Sequence, residues 1–67
     1  MTFNDWVNAV GGIDKAAKIL KTKQTTVRSW VRFDRAPKAK NAREIVKRSS
    51  GLVDYNGIYQ PFEDVGV

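Results

Sequence analysis

Apolar residues recur along the first fifty positions at the spacing of a helix. Phe3, Trp6, Val7 and Val10 stand at i, i+3, i+4 and i+7, and the stripe ends at Gly11-Gly12. This predicts a helix over about 3–10, opened by Thr2 with Asp5 three residues on as a capping pair. Ile13, Ala16, Ala17 and Leu20 repeat the spacing and predict a second helix over about 13–20, with Asp14 in the first turn, where the helix dipole favours an acid. After the polar triplet Lys21-Thr22-Lys23, the residues Val27, Trp30 and Val31 mark a third helix over about 24–32. The stretch FDRAP breaks it, because a residue before proline is pushed out of helical geometry, and Pro37 suits the first turn of a fourth helix. That helix is expected over about 38–49, with Ala39, Ala42, Ile45 and Val46 inward and Gly51 at its end.

The last segment, LVDYNGIYQPFEDVGV, has two readings. Asn56-Gly57 lies between Val53-Asp54-Tyr55 and Ile58-Tyr59-Gln60, which is the pattern of a two-residue hairpin. Alternatively Asp54 caps a single helical turn that points Ile58 into the core. The pattern favours a short hairpin or an extended arm. Leu52, Val53, Tyr55, Ile58, Tyr59 and Phe62 are a dense apolar set for so short a stretch, more than a small monomer readily covers. They form a candidate dimer interface.

Composition narrows the chemistry. A chain of 67 residues makes one small domain with little room for a deep pocket, so no small-molecule ligand is expected. The absence of cysteine and histidine removes disulfides, the usual zinc ligands and the usual acid–base and nucleophilic groups, so no metal or cofactor is expected. The seven acids are scattered without paired spacing, which argues against an enzyme. No apolar run approaches the roughly 20 residues of a membrane span, and the N-terminus lacks the cationic start of a signal peptide. A cytoplasmic protein with no membrane partner is expected.

Charge changes the picture more than composition does. All twelve Lys and Arg lie between Lys15 and Arg48, where the acids are Asp34 and Glu44 alone, so this stretch carries +10 within a chain of net +5. A solvated basic surface is one reading of such a run. Its coincidence with amphipathic helices rather than a loose tail points instead to a polyanionic partner. Trp6, Trp30, Tyr55 and Tyr59 offer themselves as base-stacking platforms, but the inward spacing of both tryptophans makes them core residues and favours duplex over single strands. Phe33, just beyond the third helix, fits core and surface equally.

The third helix separates its faces. With Gln24 at 0° and about 100° per residue, Arg28 falls at about 40°, Arg32 at about 80°, Thr25 at about 100° and Ser29 at about 140°, whereas Trp30 and Val27 fall at about 240° and 300°. Arg and Gln pair bidentately with guanine and adenine in the major groove, and Ser and Thr bond to either. Gln24, Thr25, Arg28 and Ser29 are therefore the candidate base readers. Lys15, Lys18, Lys21, Lys23, Arg32, Arg35, Lys38 and Lys40 are the candidate phosphate contacts that flank them. Arg43, Lys47 and Arg48, further along the fourth helix, read as a solvated face.

The stretch AAKILKTKQTTVRSWVRFDRAP resembles the helix-turn-helix of Cro and phage-repressor DNA-binding proteins, and AREIVKRSSGLV resembles the helix that follows it in small Cro-like regulators. The resemblance spans roughly residues 13–53. It implies a mainly α, lambda-repressor-like domain of four helices, with Ala17 as the small residue between the two helices of the motif, Leu20 ending the first, and Val27 and Trp30 as core positions of the second. It also implies that Gln24, Thr25, Arg28 and Ser29 face bases. The chain departs from the family at three places. Lys21 stands where a left-handed glycine is usual, at a cost of about 1–2 kcal/mol. Lys23 stands where a Ser or Thr cap is common, so Thr22 offers a cap one residue earlier. Ile13 stands where a phosphate-binding glutamine is frequent.

Residues and resemblance together lead to the expectation of a transcriptional regulator of phage or prophage origin in a bacterial host cell, reading a near-palindromic double-stranded operator as a weak homodimer. Repression is what the resemblance implies. Two alternatives use the same residues: an excisionase-like or antitoxin DNA-binding protein, and a basic protein-interaction module whose partner is acidic.

Overall fold

The computed structural model describes residues 1–65. Five helices and no strand are found among them: α1 over Phe3–Val10, α2 over Ile13–Leu20, α3 over Gln24–Val31, α4 over Ala39–Arg48 and α5 over Tyr55–Asp64. None is long and apolar enough to cross a membrane.

Each early helix starts and stops for a local reason. The Thr2 hydroxyl accepts the Asp5 N–H at 3.1 Å and opens α1. Gly11 closes it at φ 110, with Gly11 N–H on the Asn8 carbonyl and Gly12 N–H on the Val7 carbonyl, a left-handed stop that glycine adopts at little cost. The same closure ends α2, where the Thr22 N–H reaches the Ala17 carbonyl at 3.0 Å, but here Lys21 takes the left-handed position at φ 55, ψ 45. The strain expected from the missing glycine is thus present, and the turn keeps its tight form. Thr22 does not cap α3: the helix opens at Lys23 in extended geometry with no side-chain cap bond. Pro37 lies before α4 rather than in its first turn, and Lys38 is the cap residue.

The inward stripes meet in one core. Phe3, Trp6 and Val7 of α1, Ala16, Ala17 and Leu20 of α2, Val27 and Trp30 of α3, and Ala42 and Ile45 of α4 are buried together, with Val53 and Ile58 added from the C-terminal segment. Phe3 lies 6.0 Å from Trp6 and meets Trp30 edge-on at 5.9 Å, so both tryptophans are core residues. Ala39, expected inward, is exposed. It sits at the first position of α4, before the helix has reached its packing partners.

The hairpin or extended arm is corrected to a fifth helix, and with it the count of four. The Asp54 carboxylate accepts the Gly57 N–H at 2.7 Å, which caps α5, and Ile58 follows into the core with 1% of its surface exposed. Gly57 is used here for closeness rather than for a turn, since a side chain built on it would collide with the Met1 carbonyl. The Met1 ammonium donates to the Leu52 carbonyl at 2.9 Å, so the N-terminal backbone lies across the start of α5. An isolated two-stranded hairpin is marginal in water. A capped helix that buries an isoleucine and receives the chain's own N-terminus wins over the local Asn-Gly signal.

This correction removes two residues from the candidate dimer interface. Val53 and Ile58 are buried at 0% and 1% exposure inside the monomer. Tyr59 and Phe62 are partly buried, Tyr59 with its hydroxyl on the Pro37 carbonyl and Phe62 edge-on to Phe33. Leu52 and Tyr55 remain exposed at 60% and 51%.

Candidate nucleic-acid interface

The α3 helix buries one side and exposes the other. Val27 and Trp30 are buried at 0% and 4% exposure, while Gln24, Thr25, Arg28 and Arg32 are exposed. This is the separation required by a period of 3.6 residues with apolar positions three apart. Ser29 is half-buried, and its hydroxyl donates to the Thr25 carbonyl at 3.1 Å. Its proton is committed to the helix, so Ser29 presents an oxygen acceptor rather than a donor.

Two contacts hold α3 in place. The Asn4 side-chain amide of α1 donates to the Val31 carbonyl at 3.2 Å, at the last residue of α3. Beyond it Phe33 takes φ 63, and the Asp34 N–H reaches back to the Ser29 carbonyl at 2.9 Å, a helix stop of the same kind as the one at Gly11. A phenylalanine there is strained. Its ring meets Phe62 of α5 edge-on at 5.0 Å, a pair worth about 0.5–1.5 kcal/mol beyond its buried area, which offsets much of the backbone cost. Phe33 is therefore a packing residue that reaches α5. The sequence carries no signal for Asn4, because a single polar residue on a short helix looks the same whether it caps a neighbour or faces water.

The flanking cations are free to act on a partner. Lys15, Lys18, Lys21, Lys23, Arg35, Lys38 and Lys40 are all exposed. Among the described residues, Arg48 alone of the Lys and Arg side chains has a carboxylate within 4.0 Å, that of Glu44 at 3.8 Å. The other eleven keep their charge uncompensated at short range. Lys15 lays its stem across Gly11 at the α1–α2 corner. Lys21 and Lys40 line one cleft between the α2–α3 turn and α4, and Lys40 continues into a second depression with Arg43 and Lys47. The cationic surface therefore runs from the α2–α3 turn onto α4. Arg48 differs from the solvated residue expected there, since its Nε is shielded from solvent.

A face of amide, hydroxyl and guanidinium groups beside an uncompensated cationic surface is suited to hydrogen-bonding a polyanion. Neither protein-family models, nor curated proteins, nor solved structures yield a match to this chain.

Proposed function

We propose that this chain is a sequence-specific double-stranded DNA-binding regulator of the Cro-like repressor type, and that α3 enters the major groove. The observation that carries the reading is α3 itself, which anchors Val27 and Trp30 in the core and turns Gln24, Thr25 and Arg28 outward, with Arg32 exposed just beyond its end, and neither arginine has a carboxylate partner among the described residues. The α2–turn–α3 unit then acts as a helix-turn-helix. Arg28 and Gln24 carry the bidentate base contacts and Thr25 a single one, while Ser29 accepts from an exocyclic amine. Lys18, Lys21, Lys23, Arg32, Arg35, Lys38 and Lys40 supply phosphate contacts, and the uncapped N-terminus of α3 adds backbone donors.

One such module covers little DNA, so two copies on half-sites about one helical turn apart give useful affinity at cellular salt. Leu52 and Tyr55, exposed beside the start of α5, support self-association. Selection of bound duplexes from a random pool tests the whole reading. The expected result is an enriched near-palindrome. Recovery of a pool without sequence preference defeats it and favours a basic module for an acidic protein.

A further inference from the structure

Away from the outward face of α3, the α2–α3 turn and α4 enclose a cleft of about 290 Å³. Three cations line it, Lys21 from the turn and Lys40 and Arg48 from α4, against one acid, Glu44. Thr22 and Asn41 add a hydroxyl and an amide, and Trp30 belongs to its apolar lining.

Arg48 lines this cleft with an incompletely satisfied guanidinium. The Arg48 Nε is shielded from solvent and has no acceptor. The Glu44 carboxylate stands 3.8 Å from the Nη2 of the same guanidinium, beyond hydrogen-bonding distance. The Arg48 side chain is 30% exposed, so the guanidinium can turn to bring its Nε–H onto an incoming acceptor, which removes the desolvation penalty of that unpaired donor. The Nε edge of arginine is also an edge that grips oxyanions bidentately.

We propose that this cleft is a binding site for a phosphate-type oxyanion, with Arg48 as the anchoring donor. A tetrahedral dianion matches a lining of three cations and one acid, whose net charge is +2. It also accepts from donors arriving from both the turn and α4. Glu44 is the competitor: its carboxylate rests loosely against Arg48, and the stronger anion displaces it. An occupant ties Lys21 to α4 and so stiffens the turn that precedes α3. Lys21 and Lys40 are also phosphate contacts in the duplex reading, and because free phosphate and a duplex backbone present the same chemistry, the two sources are separated by experiment.

The test is a titration of the intact chain with inorganic phosphate at constant ionic strength, followed by NMR at the Arg48 Nε–H and the Thr22 and Asn41 amides, with chloride as control. The expected result is a saturable shift at these groups, at least about tenfold weaker in Arg48→Gln and tighter in Glu44→Gln. If inorganic phosphate is silent but a random-sequence duplex moves the same resonances and Arg48→Gln abolishes the effect, the site stands with the backbone as its source. A response that never saturates, that chloride reproduces, or that Arg48→Gln leaves intact overturns the proposal, as does silence toward both probes. Should Arg48→Gln fail to fold, the exposed Lys40→Gln carries the comparison, and unchanged affinity there overturns it equally.

Discussion

The phenol of Tyr59 on α5 donates a 2.7 Å hydrogen bond to the carbonyl of Pro37, 22 residues earlier in the chain. Pro37 is buried between α3 and α4 and, as a proline, has no N–H of its own. The fifth helix thus fastens the link that leaves α3 and sets the direction of α4. Tyr59→Phe keeps the ring and removes the donor. It is expected to lower stability by about 1–2 kcal/mol, because the carbonyl loses its partner. Urea unfolding should show a lower midpoint at unchanged slope. An unchanged midpoint means that water replaces the phenol and that the bond contributes nothing.

Lys21 sets stability against charge. Its left-handed backbone costs about 1–2 kcal/mol, and glycine removes that cost while making the unfolded chain freer by about 0.5–1 kcal/mol. Lys21→Gly is therefore expected to raise stability by up to about 1.5 kcal/mol. Under the duplex-binding reading it also removes one phosphate contact, so the slope of log K against log[salt] becomes shallower by about 0.9. A more stable variant with an unaltered salt response places Lys21 outside the interface.

Gly57 inverts the usual rule for helices. Glycine to alanine in a helix interior normally stabilises by about 1 kcal/mol. Here the added methyl meets the Met1 carbonyl, and the N-terminal backbone, held by its ammonium on Leu52, must move. Gly57→Ala is expected to destabilise by about 1–3 kcal/mol, the range for overpacking. A thermal melt that shifts upward instead shows that the first residues are displaced without cost.

Two substitutions separate base contacts from phosphate contacts under the duplex reading. Arg28→Ala should cost about 1–3 kcal/mol on the selected operator and relax preference at one base pair, whereas Lys38→Ala should weaken all duplexes alike. With six to eight phosphate contacts, the wild-type chain should show a salt slope of about −5 to −7. Fluorescence anisotropy on matched and scrambled duplexes at several salt concentrations measures all three. A flat salt response, or two variants that bind as the parent does, counts against the reading.

Helical spacing over residues 24–32 makes legible the part of the candidate surface on and just beyond α3. Gln24, Thr25, Arg28 and Arg32 emerge exposed because the positions of Val27 and Trp30 leave the helix one way to turn. Ser29 is harder to read, since its bond to the Thr25 carbonyl is a choice made by a rotamer. Arg48 looks in sequence like one more solvated cation, and its shielded Nε depends on how α4 sits beside the α2–α3 turn.

Local periodicity and chain-breaking residues by themselves determined α1 to α4, their inward stripes apart from Ala39, and the concentration of charge between Lys15 and Arg48, because helical spacing and capping act over a few neighbouring residues. Tertiary structure alone decided the fate of residues 54–64. Asn56-Gly57 suits a hairpin as well as a capped helix, and the balance fell to the burial of Ile58, the Phe33–Phe62 pair, the Tyr59–Pro37 bond and the approach of Met1 to Gly57. Nearly all of those contacts join positions far apart in the chain, where no local pattern registers the energy that selects between two conformations.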